Sequence, residues 1–353
     1  MLHCNSDYLY RLCTLSKNNC YLAFTTSKNV FVLEMCKDGT NVLQQRQLFN
    51  TLNGCLIKSL VFSPNSKYLS VNMIKEIIIF DMSDRNTPKS ISINRQCILS
   101  AAFSPCSRFI ALAILNSNVI IREIEYNRTR EIDHTEDTNN VTWSNCGKYF
   151  ASSTNSTVSL YNSNYDFLNY VYSIVNADIK SILFSPDDSY IVIVTYIYCD
   201  YYKYTTTRHE IVILNTDDWN VEKIINYKYN PYLLVFNPDG TQFVANSLNG
   251  NIDVWSVVDE WNHQRTIVMH CPLSILNSLC FTSDGKYLIA AYNDGIKIFS
   301  INKCWSDKVN NLFFDNLKSV IFYMMCVFNN GHLGELPIEM LLEILQSTSV
   351  FLM

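Results

Sequence analysis

The chain has 353 residues, of which 48% are hydrophobic and only 17% are charged. This composition excludes a disordered or collagen-like protein, because burial of so much apolar surface offsets the entropy lost on folding. The 27 Lys and Arg residues against 32 Asp and Glu give a net charge of −5, so there is no overall basic footprint for nucleic acid.

The sequence also carries no pattern typical of secretion or membrane insertion. No apolar run reaches the ~18–20 residues that span a bilayer, and residues 1–7 lack the basic and apolar regions of a signal peptide. We therefore expect a cytoplasmic or nuclear protein with no membrane partner. The 13 Cys residues are scattered singly, and in a reducing compartment we expect them to behave mostly as small hydrophobic residues.

A repeat organises residues 15 to 299. Its core reads aromatic-Ser-Pro-x-x-x-aromatic, as in residues 62–68, 103–109 and 184–190, and it recurs in weaker forms. The first residues of the seven copies, which we call the anchors, are Leu15, Phe62, Phe103, Trp143, Phe184, Phe236 and Phe281. They lie 40 to 52 residues apart, and the sixth copy places one extra residue before its second aromatic side chain. Each Ser-Pro-Asp-Gly-like segment predicts a tight turn.

Each turn is followed by segments that predict β-strands. A polar residue and a run of β-branched residues recur after every anchor, as in residues 76–80, 210–214 and 295–299. A further strand fits between the turn and this segment, for example over 68–71, 109–113 and 287–291. With a variable outer strand, each unit of about 40–45 residues would form a four-stranded sheet.

This pattern resembles the WD-repeat β-propellers. The resemblance implies an all-β, seven-bladed WD40-type propeller over residues 1–314, because single blades cannot bury both faces and must stack around an axis. The signature residues of that family are sparse. Only Trp255 holds the tryptophan position, Phe80-Asp81 stands in for Trp-Asp, and Asp133-His134 is the segment most similar to Gly-His. We expect the last blade to take its outer strand from residues 308–314.

The fifth copy is expanded between its second and third strands, over residues 196–209. The insertion is rich in aromatic and basic side chains, namely Tyr201, Tyr202, Tyr204 and Arg208. Tyr and Arg are enriched among residues that dominate binding energy at protein interfaces. The four residues are therefore candidates for protein binding, although the same pattern fits an extended hairpin whose Tyr side chains pack across strands.

Residues 315–353 predict a short α-helical C-terminal tail. Apolar residues recur at helical spacing over 317–328, and a Leu-Pro segment follows at 336–345. This segment is similar to the first helix of an F-box, which Leu336, Pro337, Glu339, Leu341, Ile344 and Leu345 match. The order of helices also resembles a SOCS box, and similar tails occur on repeat proteins of large DNA viruses, including those infecting amoebae. The helices could equally cap the last blade.

No catalytic constellation stands out in the sequence. The six His residues show no metal-ligand spacing, and there is no Cys-x-x-Cys, no Gly-x-Ser-x-Gly and no Gly-rich phosphate loop. We therefore predict no catalytic residues, no metal and no cofactor. An enzyme stays a third possibility, since some propellers hydrolyse esters or sugars.

Two functions follow as hypotheses. The first is a non-catalytic scaffold that binds other proteins. The alternative is a substrate receptor of a cullin-type ubiquitin ligase, recruited through the Leu-Pro helix by a Skp-family or elongin-like adaptor. The second rests on analogy between folds rather than on a site.

Overall fold

A computed structural model shows seven antiparallel β-sheets arranged as the blades of a propeller. The structure describes residues 12–26, 29–35, 42–50, 57–83, 89–92, 97–115, 118–126, 128–132, 137–200, 205–247, 250–268, 275–293 and 295–301. Within these ranges the chain contains strands, turns and loops but no α-helix. The prediction of an all-β, seven-bladed propeller is confirmed. The predicted helical tail lies outside the described residues.

The inner strand of each blade contains the anchor, and the second strand is formed by the segment that follows the turn. The inner strands are β1 (Cys13–Leu15), β5 (Ile57–Phe62), β9 (Ile98–Phe103), β13 (Asn140–Trp143), β17 (Ala177–Phe184), β21 (Leu234–Phe236) and β25 (Leu276–Phe281). The second strands are β2 (Tyr21–Thr25), β6 (Tyr68–Met73), β10 (Phe109–Ile114), β14 (Tyr149–Ser153), β18 (Tyr190–Asp200), β22 (Gln242–Asn246) and β26 (Tyr287–Tyr292). Every anchor therefore ends an inner strand, as the repeat predicts.

The β-branched segments form the third strands, and shorter or more variable segments form the outer strands. The third strands are β3 (Asn29–Met35), β7 (Glu76–Asp81), β11 (Val119–Glu123), β15 (Thr157–Asn162), β19 (Thr205–Asn215), β23 (Ile252–Ser256) and β27 (Gly295–Ser300). Six outer strands are described: β4 (Val42–Asn50), β8 (Lys89–Ser92), β12 (Thr129–Ile132), β16 (Phe167–Ser173), β20 (Val221–Tyr227) and β24 (His263–Ile267). The outer strand predicted for blade 7, over 308–314, falls outside the described residues.

The turn between the first two strands has the same length in every blade. Each anchor pairs with the residue seven positions later, as Phe62 pairs with Leu69 and Phe236 with Phe243. The expectation of an extra residue in the sixth copy is therefore wrong. Gln242 takes the position that Tyr or Phe holds in the other blades. Its main-chain amide donates to Asn237 Oδ1 at 2.8 Å. The amide of Tyr68 makes the same 2.8 Å bond to Ser63 Oγ.

The hydrophobic cores lie between blades rather than inside them. Leu22 and Phe24 of blade 1 share one buried cluster with Ile289 and Ala291 of blade 7. This cluster joins the first blade to the last, so the ring closes through apolar packing. A four-stranded blade is too thin to bury both of its faces by itself, which is why each face needs a neighbour.

The antiparallel order of the strands gives the propeller two distinct ends. The first–second turns and the third–fourth connections lie at one end, which we call the turn face. The second–third connections and the connections between blades lie at the other end, which we call the loop face. The expanded segment of the fifth copy therefore belongs to the loop face.

A ring of contacts between turns joins the blades at the turn face. The fourth residue of every turn has a positive φ, and these residues are Asn19, Ser66, Ser107, Gly147, Asp188, Gly240 and Gly285. Where this residue carries a side chain, it accepts a hydrogen bond from a turn amide of the preceding blade. Ser107 Oγ thus accepts from Asn65 N at 3.0 Å, and Asn19 Oδ1 of blade 1 accepts from Ser283 N of blade 7 at 3.1 Å.

Where the fourth residue is Gly, it packs instead on the second turn residue of the preceding blade. A β-carbon built on Gly240 would lie 3.6 Å from Pro186 Cδ, and one built on Gly285 would lie 3.5 Å from Pro238 Cδ. Glycine has no side-chain acceptor, so contact with proline takes the place of the hydrogen bond at these junctions.

Two Cys residues of the turn face depart from the expectation of small hydrophobic side chains. Among the six Cys residues with described surroundings only Cys13 is buried, and Cys106 and Cys146 are exposed. These two occupy the third position of the turns in blades 3 and 4, where the other blades carry Asn or Asp. Their sulfur atoms lie near the turn Ser hydroxyls, at 3.2 Å for Cys106 and 3.6 Å for Cys146. They therefore substitute for a turn-forming polar side chain.

Candidate protein-binding surface on the loop face

The expanded fifth copy forms an extended hairpin. Its strands β18 and β19 each run for 11 residues and pair from Tyr190 opposite Asn215 to Asp200 opposite Thr205. The predicted insertion between the second and third strands is confirmed. Tyr201, Tyr202 and Tyr204 lie outside the described residues.

The base of this hairpin is held by paired side chains. Arg208 Nε lies 3.0 Å from Glu210 Oε1; the arginine side chain is 60% exposed and that of Glu210 only 7%. On the same hairpin the ring of Tyr196 packs edge-on against His209, with 4.8 Å between the ring centroids. Burial lowers the pKa of His209, which favours the neutral imidazole.

A second ion pair lies beside the hairpin on the inner strand of blade 5. Asp178 Oδ2 is 2.7 Å from Lys180 Nζ and accepts a hydrogen bond from the Tyr198 hydroxyl at 2.8 Å. Lys180 Nζ also lies 5.3 Å from the centroid of the Tyr196 ring, within the range of a cation–π contact. The hairpin is thereby fastened to the strand that lines the axis.

The two ion pairs share an orientation that sets the charge of this surface. Lys180 is 36% exposed and its partner Asp178 only 16%, as Arg208 is more exposed than Glu210. The cations therefore face solvent while the carboxylates lie beneath them. Burial, and then the neighbouring Tyr198 and Tyr232, raise the pKa of Tyr196, so this ring stays a neutral phenol.

The same face continues as apolar surface over blades 6 and 7. Tyr232 is 47% exposed, and its hydroxyl donates to the carbonyl of Leu276 in the next blade at 2.6 Å. Val175, which precedes blade 5, is 80% exposed, and Ile275, which precedes blade 7, is 61% exposed. We define the blade 5–7 surface by five exposed residues toward the loop face: Val175, Lys180, Arg208, Tyr232 and Ile275. Lys180 contacts Tyr196 on the side of the blade 5 sheet that faces blade 6, and Arg208 lies on the opposite side of that sheet.

Lys180 and Tyr232 were missed by the sequence reasoning, yet they share a position in the repeat. Both stand four residues before an anchor. In blade 5 this residue is a β-bulge, skipped between the paired residues Ile179 and Ser181. Blade 2 repeats the feature, where Lys58 is skipped and its Nζ lies 3.0 Å from the Ile98 carbonyl oxygen of blade 3. A bulge redirects a side chain out of the sheet, and alignment of the copies on their anchors would have placed these residues together.

A buried polar cluster joins blades 5 and 6. The Tyr227 hydroxyl donates to Asp253 Oδ2 at 2.7 Å and to the Asn246 carbonyl at 3.1 Å, and both Tyr227 and Asp253 are buried. Burial and the bond to Asp253 raise the pKa of Tyr227. Thr266 Oγ1 also donates to Asp253. Asp133 and His134 lie outside the described residues.

Neither a metal site nor a membrane-spanning element is found in the part of the chain that the structure describes. No group of three or more His, Cys, Asp or Glu side chains there is placed to hold a metal ion. No helix of the described residues has the length and apolar character needed to cross a bilayer. The adaptor-helix residues Leu336, Pro337, Glu339, Leu341, Ile344 and Leu345 are outside the described ranges.

Comparison with protein families supports the repeat assignment. The family described as "WD domain, G-beta repeat" matches residues 127–162 and 261–300. Each match begins near the outer strand of one blade and ends with the third strand of the next, so the sequence repeat is offset from the blade. No curated protein matches the sequence.

Solved structures share the fold at low sequence identity. Hydrazine synthase of Kuenenia stuttgartiensis is 12% identical with a TM-score of 0.68, and the match covers 85% of this chain and 98% of that one. A chain in the crystal structure of the mitotic checkpoint complex is 16% identical with a TM-score of 0.65, covering 83% and 87%. One neighbour is thus an enzyme and the other part of a protein assembly, so these likenesses establish the propeller and leave the function to the site.

Proposed function

We propose that this protein is a non-catalytic interaction scaffold that binds a segment of another protein across the blade 5–7 surface. The observation that carries the proposal is the orientation of the two ion pairs, with Lys180 and Arg208 facing solvent above their carboxylates. The WD-repeat matches support a protein-binding role, and the mitotic checkpoint neighbour comes from an assembly of proteins.

The chemistry of the surface indicates the kind of partner. Exposed cations and the exposed side chains of Tyr232, Val175 and Ile275, all toward the loop face, suit a segment that presents carboxylates and apolar side chains together. Arg and Tyr are enriched at interface hot spots. Exposed cations also accelerate encounter with an acidic partner, and salt weakens that effect.

Affinity purification with mass spectrometry tests this assignment. We expect the double variant Lys180→Glu with Arg208→Glu to lose the partners captured by the wild-type protein, and Tyr232→Ala to reduce them. The matched control is Lys148→Glu with Lys286→Glu, which makes the same charge change on the turn face. A partner set that survives the loop-face variant, or that is lost equally in the control, contradicts the use of this surface.

The non-catalytic part of the proposal rests on how the polar groups are used. Asp178 is bonded to Lys180 and Tyr198, and Asp253 to Tyr227 and Thr266, so each carboxylate has a structural role. Because hydrazine synthase, an enzyme, shares the fold, the fold alone does not determine whether this protein is catalytic. Turnover by the purified protein on a panel of esters and glycosides would contradict the proposal of a non-catalytic protein.

A ligase receptor is the second candidate. It is supported by the Leu-Pro segment at 336–345, whose residues match the first helix of an F-box. Under this hypothesis the propeller would bind the substrate and the helix would recruit a Skp-family or elongin-like adaptor. The two candidates agree on the propeller surface and differ only in the tail.

Co-purification experiments distinguish the two candidate functions. If the tail recruits an adaptor, Leu336→Asp with Ile344→Asp abolishes adaptor capture while partners of the blade 5–7 surface remain. A chain ending at Phe314 should behave in the same way. Capture of no adaptor by the full-length protein contradicts the ligase hypothesis, and unfolding of the double variant would indicate that the helix caps the propeller.

A further inference from the structure

The outer strand of blade 4 differs in charge from the other described outer strands. β16 reads Phe-Leu-Asn-Tyr-Val-Tyr-Ser and contains no charged residue. The other five described outer strands each carry at least one basic residue: Arg46, Lys89, Arg130, Lys223 and Arg265. Charged residues on an outer strand discourage pairing with another chain, because they would be desolvated or repelled. Blade 4 lacks this protection.

The strand is also exposed along its length. The first four residues of β16, from Phe167 to Tyr170, are all exposed, including Phe167 at 49%, Leu168 at 46% and Tyr170 at 56%. β16 pairs with β15 on one side, and no described strand pairs with it on the other. Its outer edge therefore presents main-chain donors and acceptors beside large apolar side chains.

Packing holds this strand in place, and its pairing with β15 skips Leu168 and Val171, which are β-bulges. Val171 and Tyr172 pack against the buried cluster between blades 4 and 5. Phe167 packs on Tyr161 with 5.8 Å between ring centroids, and on Tyr170 with 4.9 Å. A strand ordered in this way loses little conformational entropy when it pairs with another strand.

We propose that β16 pairs antiparallel with β16 of a second copy of this chain, which joins two blades into one eight-stranded sheet across a two-fold axis. Main-chain pairing requires a strand as the occupant, and a two-fold contact must be self-complementary. β16 meets this condition because it has no charge to oppose its own copy. The charged residue nearest to β16 is Asp166, which precedes the strand, so β16 itself brings no like charges to a two-fold contact.

Sedimentation equilibrium of the full-length protein over a concentration series tests this proposal. We expect a dimer of twice the 40.8 kDa chain mass. Asn169 is exposed and central in the strand, so Asn169→Lys places two like charges near the axis and should raise the dimer Kd at least about tenfold. Asn169→Gln, which adds no charge, should leave it unchanged. Gln264→Lys on β24 makes the same addition on the outer strand of blade 6 and should also have no effect.

Hydrogen exchange then locates the contact. Amides of β16 should exchange more slowly at high protein concentration than at low, and the other outer strands should not change. A monomer at all concentrations overturns the proposal, as does a dimer whose protected amides lie elsewhere or one weakened equally by Gln264→Lys. If Asn169→Lys lowers the melting temperature, the wild-type exchange pattern and Asn169→Gln still decide the question.

Discussion

Asp188 of blade 5 accepts a hydrogen bond from the main-chain amide of Cys146 in blade 4, at 2.7 Å from Cys146 N to Asp188 Oδ2. The bond joins two turns that are 42 residues apart in sequence. The side chain of Asp188 makes it from a left-handed backbone conformation, with φ at 62°. The same left-handed position recurs in every turn: Ser and Asn accept an equivalent bond there, whereas Gly packs on proline.

Two substitutions of Asp188 distinguish the contribution of its side-chain hydrogen bonds from the cost of its left-handed backbone conformation. Asp188→Ala should lower the free energy of unfolding by about 2–4 kcal/mol, because charge-assisted hydrogen bonds to two turn amides are lost and a β-carbon remains at positive φ. Asp188→Asn should cost clearly less, since Asn tolerates this conformation and still accepts a bond. Urea unfolding of the two variants measures the difference. Equal losses in both would show that the carbonyl acceptor contributes nothing.

Substitution of Gly285 tests the junctions between turns at which a Gly–Pro contact takes the place of the hydrogen bond. Gly285→Ala should destabilise the protein by about 1 kcal/mol, because φ is +69° and L-residues with a β-carbon disfavour this region. The added carbon would meet Pro238 at an ordinary 3.5 Å, so the cost comes from the backbone. Gly285→Asn should cost less, as Asn19 holds the equivalent position in blade 1. Thermal unfolding compares the two; a larger loss for Asn would contradict this account.

The third turn position makes stability depend on pH. Burial opposes ionisation of Asp187, Asp239 and Asp284, but hydrogen bonds from neighbouring hydroxyls and amides outweigh it and hold each pKa below the usual 3.8. A carboxyl group whose pKa is lowered on folding stabilises the folded state above its unfolded pKa. That stabilisation is present above about pH 4 and is lost as the pH falls through the folded pKa values.

Asn18 and Asn65 occupy the same turn position without an ionisable group, and each accepts the corresponding main-chain amide at 3.0 Å. The triple variant Asp187→Asn, Asp239→Asn and Asp284→Asn should therefore keep its turns and lose part of the acid sensitivity. We expect its melting temperature to fall less steeply than that of the wild type between pH 4.5 and the acid limit of folding. Parallel curves for the two proteins would show that these groups do not contribute.

Tyr227 tests the buried cluster between blades 5 and 6. Tyr227→Phe removes the donor to Asp253 and leaves a buried carboxylate oxygen with one partner fewer, so the free energy of unfolding should fall by about 1–3 kcal/mol. Tyr229→Phe is the matched control, because the Tyr229 hydroxyl makes no hydrogen bond to a described residue while its ring packs against the same hydrophobic cluster. Similar urea midpoints for both variants would contradict a stabilising role for the cluster.

The seven anchors and the strands around them could be predicted because the signals are local. A turn built on Ser, Pro and Asp, and a run of β-branched residues about 18 residues after the anchor, depend on interactions within a few positions of each residue. The wrong expectation of an extra residue in the sixth copy also came from a local signal, the position of Gln242. Counting aromatic residues suggested an insertion, whereas the hydrogen bond from Gln242 N to Asn237 Oδ1 and the pairing of Phe236 with Phe243 show that the turn keeps its length.

The sequence by itself determined the number of blades, the order of their strands and the loop face as the place of the expanded hairpin. Only the tertiary structure decided which side chains share a surface. Lys180, Tyr232 and Ile275 come from three blades, and the cations face outward because Asp178 and Glu210 lie beneath them. The exposure of β16 and the bonds between turns depend equally on neighbouring blades. Contacts between residues about 40 positions apart are set by how rigid sheets stack rather than by local conformation, so a single copy of the repeat does not specify them.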